Sequence, residues 1–197
     1  MNLLRTGQPE AQPKRGSGRA LAVAAGVAWG FAEGTLVFVV PDVLISRTAL
    51  LSWRRALLQA VAASAGAVLA GALLFTWAAR APVAAQTVVR QVPFVRESMF
   101  EAAAAGLAAG AFGGLVRGSF SGIPYKVFAV EAPGHVAAMP FVVASGPARI
   151  LRFLLAVMCS ALAAMLLRWL TPVSTTGLRV AHAAAWLVFY AYYWITV

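Results

Sequence analysis

Six ionisable residues set into apolar sequence are the ones able to do chemistry in this chain: Glu33, Asp42, Lys126, Glu131, Arg149 and Arg152. At bilayer depth a charge costs on the order of 2.5 kcal/mol or more to insert, so such residues are paired or functional. The cations suit a phosphate. Lys126 supplies a point charge, and Arg149 and Arg152, three apart, share one face of a helix. The carboxylates Glu33, Asp42 and Glu131 suit proton carriage, or serve as counter-ions to those cations. The plain alternatives stay open beside these roles: interfacial anchoring for the two arginines, a permanent ion pair for the acids. His135 reads as an ordinary polar contact and His182 as packing. No metal-ligand spacing, no glycine-rich phosphate loop and no Ser/His/Asp set accompanies them, so the reading is of a non-enzyme without cofactor or metal.

The surrounding composition defines the class. The chain has 197 residues, 61% hydrophobic and 11% charged. Soluble domains lie nearer about half apolar and about a quarter charged, which makes this an integral membrane protein with little soluble mass. The formal net charge of +10 comes largely from arginines at the edges of apolar runs. Topology and anionic headgroups explain them better than nucleic acid does. The one cysteine, Cys159, excludes an intrachain disulfide and a cysteine metal cluster.

Taken in order, residues 1–19 read as a disordered basic cytoplasmic tail. The apolar run 20–46 contains Glu33, Pro41 and Asp42. Arg15 and Arg19 precede it, and Arg47, Arg54 and Arg55 follow it. A simple crossing would put one basic cluster on the wrong side. A hairpin that dips in and returns keeps both in the cytoplasm. Residues 56–79 form a spanning helix with a small-residue face. Residues 82–100 look like an amphipathic interfacial helix. A second hairpin is expected over 102–146, broken at Pro124, Pro133 and Pro140, with 118–126 at its tip. Broken backbone at that depth must be covered by protein or line a cavity. Spanning helices at 148–170 and 179–196 complete an all-α polytopic membrane domain, 20–197. The last closes on an aromatic belt of Tyr190, Tyr192, Tyr193 and Trp194. Counting crossings returns the loop between Arg168 and Arg179 to the cytoplasm.

Two halves of this layout are alike. Gly26, Gly30 and Gly34 lie in the first hairpin, and Gly106, Gly110 and Gly114 in the second. Each triple precedes a proline beside a charge, Pro41-Asp42 or Pro124-Tyr125-Lys126, at a hairpin tip. Entering from opposite faces, the hairpins would form an inverted repeat with an acidic tip facing a basic one.

The second half also resembles the DedA/VTT superfamily (the SNARE-associated Golgi protein domain) in its YqaA-like bacterial branch. The residues that carry the likeness are Gly122, Pro124-Tyr125-Lys126, Phe128, Ala132-Pro133, Phe141, Ala144-Ser145 and Arg149 with Arg152-Phe153. In the first half, residues 30–45 with Glu33 and Pro41-Asp42 resemble that family's opening hairpin. The resemblance implies a multi-pass protein of the bacterial inner membrane with two opposed re-entrant hairpins. It also implies that an anionic lipid, a polyprenyl phosphate or a phospholipid, moves between leaflets, in some members with proton coupling. Lys126 stands where the wider family has arginine, which leaves the substrate of this branch open. The sequence therefore points to translocation of a phosphate-bearing lipid. Transport of a small solute or ion, and a non-transporting structural or assembly role, are the alternatives. Membrane lipids are the expected partners, without nucleic acid, and oligomeric state is not readable.

Overall fold

Gly26, Gly30 and Gly34 form one seam, and it orients the molecule. The computed structural model describes residues 17–35 and 40–196. Most of the expected N-terminal tail, and positions 36–39 of the first hairpin, lie outside those residues. Among the described residues the protein is all-helical: α1 (Ser17–Thr35), α2 (Asp42–Ala49), α3 (Trp53–Arg80), α4 (Pro82–Arg90), α5 (Glu97–Ala109), α6 (Ala111–Ser121), α7 (Tyr125–Glu131), a 3-10 turn (Ala132–Gly134), α8 (Ala138–Leu170) and α9 (Thr175–Thr196). Gly26 lies against Gln59 and Ala62, Gly30 against Ala63, and Gly34 against Ala67 and Ala70. Both sets of numbers rise together, so α1 and α3 run in the same direction. The chain must therefore return between them, and α2 lies on that return. Ser52 restarts it, its side chain accepting the Arg55 N–H at the head of α3.

The return gathers the basic residues. Gly18, Arg47, Arg55 and Arg179 line one pocket, and Arg168 donates to the Leu50 carbonyl at 2.9 Å. Gly18, at the start of α1 and next to Arg19, thus shares one end of the protein with Arg47 and Arg55, while Arg15 lies outside the described residues. At the opposite end, α4 joins α5 and α7. Arg90 grips Glu97 with two hydrogen bonds of 2.8 and 2.9 Å, holding that carboxyl below the usual carboxylate range. Gln86 donates to Glu131 at 2.6 Å.

Two helices, Trp53–Arg80 and Ala138–Leu170, are long and apolar enough to cross a membrane. They are antiparallel. Ala56, Ala60 and Ala63 near the start of α3 share a core with Phe153 and Val157 of α8. Near its end, Phe75 stacks at 5.6 Å on Phe141 from the beginning of α8. The third expected span forms as the helix α9, less apolar than those two because Arg179 and His182 stand near its start and tryptophan and tyrosine residues fill its later part.

Several boundaries differ from expectation, each for a local reason. The helix expected at 148–170 begins at Ala138 and carries Pro147 inside it. An interior proline costs about 3 kcal/mol. Phe141 and Phe153, on either side of it, are both fully buried, and in apolar surroundings close packing of this kind is what holds helices together. Packing on both flanks thus keeps the helix continuous across the missing bond, as neighbouring helices do for prolines in membrane helices. Pro140 falls in the first turn, where no intrahelical N–H bond is lost. The single amphipathic helix over 82–100 is instead α4 and the start of α5. Pro93 interrupts it, since the residue before a proline disfavours helix, and Phe94 turns into the left-handed region at φ 68°. The second glycine triple is not a second seam. Gly110 is a hinge at φ 144°, and Gly106 and Gly114 pinch together around it. Gly118, expected at a tip, lies inside α6 beneath the Phe128 ring. The break itself is Gly122 to Pro124.

Gly122 adopts the left-handed conformation at φ 81° with open space beside it. Gly122→Ala is expected to lose about 1 kcal/mol from backbone strain alone. Gly146→Ala, also facing open space but inside α8, is expected to gain about as much. Thermal melts of the two detergent-solubilised variants check the opposite signs.

Candidate functional site

Four helices, α1, α2, α7 and α8, contribute charges to a single cluster. Glu33 comes from the last turn of α1, where Gly34 holds the backbone close to Ala67 and Ala70. Along α3 that level is about 21 Å from Trp53 and about 20 Å from Arg80 at 1.5 Å per residue, well inside the helix. Arg149 of α8 forms a salt bridge to Glu33, and both side chains are about 95% or more buried, at 3% and 5% exposure. The guanidinium also lies over two rings, Tyr125 at 5.1 Å and Phe153 at 4.9 Å. One turn on, Arg152 pairs with Asp42 at 2.9 Å. Asp42 occupies the first turn of α2, where the helix dipole favours an acid. This second pair is only partly buried.

Lys126 enters from the first turn of α7 and is 2% exposed. It is within electrostatic reach of Glu33 and Arg149. Pro124 precedes α7 in extended backbone and Pro41 precedes α2 in helical backbone, so the two expected tip prolines each stand at the start of a helix that carries charge. Tyr125 turns inward, stacked on Phe141 at 6.0 Å. Its hydroxyl meets Gly71 of α3, where any Cβ would overlap it. That buried hydroxyl lies beside the Ser145 side chain, and among the described residues the buried Arg149 Nε has no hydrogen-bond partner.

These charges border a cavity of about 180 Å³ lined by Glu33, Lys126, Arg152, the Gly122 to Pro124 turn, and Trp186, Phe189 and Tyr190. The volume is below the ~300 Å³ of the smallest usual drug-sized pockets and suits a headgroup-sized ion. Counted in their ordinary charge states, three cations face two carboxylates, so the cluster carries one surplus positive charge. No described group of three or more His, Cys, Asp or Glu could hold a metal.

The sequence expectations divide here. Lys126, Arg149, Arg152, Glu33 and Asp42 come together. Glu131 does not. It sits at the far end of α7 with Gln86 of α4, because five residues of helix carry it about 7.5 Å along the axis away from Lys126. The aromatic wall was missed. Tyr190 was assigned to an interfacial belt, but its hydroxyl accepts the Val40 N–H at 3.3 Å. His182 is more than packing: its Nε2 lies 2.7 Å from the Ser46 hydroxyl, and the Trp186 indole donates to both, at 3.2 Å to Ser46 and 3.0 Å to His182. This network latches α9 onto α2 and sets the wall in place. The only signal for it was the spacing His182, Trp186, Tyr190, a stripe four residues apart on one helix face. Compared with protein-family models, with curated proteins and with solved structures, the chain matches none of them.

Proposed function

We propose that this is a multi-pass membrane protein that moves a phosphate-bearing lipid between leaflets. One observation carries the reading: Lys126, Arg152 and Glu33, the last two paired with Asp42 and Arg149 behind them, line a cavity walled by aromatic rings, far from either end of a helix long enough to cross a membrane. A path for a lipid headgroup needs such a polar notch in apolar surroundings. The chain path is compatible with two segments re-entering from opposite faces. Residues 17–52 leave and return at the basic end, and residues 97–137 leave and return at the α4 end. The resemblance to the DedA/VTT superfamily points the same way and suggests the bacterial inner membrane. The basic end would be cytoplasmic by the positive-inside rule, with the N-terminus on that side.

In this reading Lys126 and Arg152 receive the phosphate oxygens. Arg152 must exchange Asp42 for the phosphate, and a proton taken up by Asp42 would release it. That is where proton coupling would enter. Arg149 stays with Glu33 and holds α1 against α8.

Purified protein in vesicles bearing a fluorescent phospholipid on one leaflet should speed its exposure to a membrane-impermeant reductant. Lys126→Ala and Arg152→Gln, with melts near wild type, should each lose about tenfold or more of that rate, since one charged hydrogen bond contributes about 1.5 to 3 kcal/mol. Exchange no faster than in protein-free vesicles, with or without a proton gradient, would sink the lipid reading. The small cavity favours one second reading, transport of a small anion. Flux of inorganic phosphate that is lost in Lys126→Ala, without lipid exchange, would establish it instead.

A further inference from the structure

A second feature lies away from this cavity. The corner between α2 and α3 and the C-terminal half of α8 leave an open groove of about 830 Å³. Its walls include Leu57, Leu155, Met158, Leu162 and Met165, and its rim includes Trp53 and Arg168. Met158, Leu162 and Met165 are 67%, 52% and 60% exposed, so no described element covers them. Residues 154–168 extend about 21 Å along α8 at 1.5 Å per residue. One leaflet of hydrocarbon is about 15 Å deep, so the groove can take an acyl chain over its whole length.

The rim determines which lipid. Arg168 is held at the mouth by its bond to the Leu50 carbonyl, and Arg54 is held over the Trp53 ring at 5.4 Å. Arg47, Arg55 and Arg179 crowd the same end of the protein. The described carboxylates are elsewhere: Glu33 and Asp42 at the cavity, Glu97, Glu101 and Glu131 toward α4. A headgroup here meets cations already fixed in position and no acid, and guanidinium favours phosphate oxygens.

We propose that this groove binds one acyl chain of an anionic lipid whose headgroup rests on Arg54 and Arg168. The site rests on the membrane reading above but not on lipid movement. It would keep a lipid of the basic-side leaflet bound beside the helix pair that carries the charge cluster.

Cys159 lines the groove, is exposed and is the only cysteine, so it can report on occupancy in the full chain. It is labelled with a small thiol-reactive fluorophore in phosphatidylcholine vesicles. Those vesicles are doped with either phosphatidylglycerol or phosphatidylcholine brominated on the acyl chain. At equal mole fraction the brominated phosphatidylglycerol should quench at least about fivefold more effectively, given two cations near the surface. In Arg54→Gln/Arg168→Gln the preference should vanish while quenching by phosphatidylcholine persists, which shows the variant still folded and inserted. Equal quenching by both lipids in the wild type overturns the site. Quenching by neither, in protein that floats with the vesicles, overturns it in favour of a second copy covering the groove, and disulfide dimers through Cys159 would identify that copy. Protein that does not float removes the membrane reading and the site together. A lipid preference in protein that exchanges no lipid keeps the site and removes the proposed transport.

Discussion

Valine at position 30 is expected to unseat α1 from α3 and leave little folded protein. A Cβ on Gly30 would overlap the backbone carbonyl of Ala63, not the movable end of a side chain. The seam gives it nowhere to go. Gly26 already meets Ala62, Gly34 meets Ala70, and from the other side Gly66 meets the Val27 carbonyl. Small residues at this spacing are what let two backbones approach so closely in apolar surroundings. Overpacking typically costs about 1 to 3 kcal/mol. Here the displaced helix also carries Glu33 away from Arg149, and breaking a buried pair adds about 3 to 5 kcal/mol. The whole loss is comparable to the 5 to 15 kcal/mol that is typical of a domain's total stability. Size-exclusion profiles and thermal melts of Gly30→Val in detergent check this. Gly18→Val is the control, since nothing lies within 4 Å of that position. A Gly30→Val protein that melts with the wild type would show that the seam does not hold the fold together.

The same glycines mark what the sequence could disclose. Their spacing announced a close helix contact, and the arginines on both flanks of residues 20–46 announced a chain that returns. Both inferences use short-range pattern, and both agree with the arrangement of α1, α2 and α3. The likeness of the second triple misled for the same reason. Spacing cannot distinguish a glycine needed for close approach from one needed for a positive φ, and Gly110 is the second kind. Pro147 shows the reverse error. A local rule predicts a break, but the buried rings of Phe141 and Phe153 decide otherwise, and burial is a property of the assembled protein. At the site, the residue types were legible and their pairing was not. Glu33 and Arg149 stand 116 positions apart in the chain. Nothing local separates the Glu33–Arg149 and Arg152–Asp42 pairs from the crossed alternative, and nothing local separates Glu131 from the acids that join the cluster. The α9 wall was least legible, because Trp186 and Tyr190 read equally well as ordinary interfacial aromatics.

Arg149→Met should be the most damaging single change at the site, and the way in which it fails separates framework from function. It leaves the Glu33 carboxylate buried without its partner, at a cost of about 3 to 5 kcal/mol. Glu33→Gln/Arg149→Met should recover part of that loss, because neither charge of the pair is left alone, while Lys126 gives up the carboxylate within its reach. The expected double-mutant coupling is therefore large, at the upper part of the 0.5 to about 3 kcal/mol range for residues in contact. The Arg152–Asp42 pair behaves differently. Its side chains are 23% and 11% exposed, so water and the cavity partly solvate whichever charge remains. Arg152→Gln should cost no more than about 1 to 2 kcal/mol while losing about tenfold or more of the proposed lipid exchange. Melts of the four single and double variants, read beside the vesicle exchange assay, give two axes. Glu33 and Arg149 should move along the stability axis and Arg152 with Lys126 along the transport axis. If the rescued Glu33→Gln/Arg149→Met protein is stable yet inert, Arg149 belongs to the phosphate site as well. If it is stable and active, the buried pair is scaffolding, and the cavity cations alone carry the headgroup.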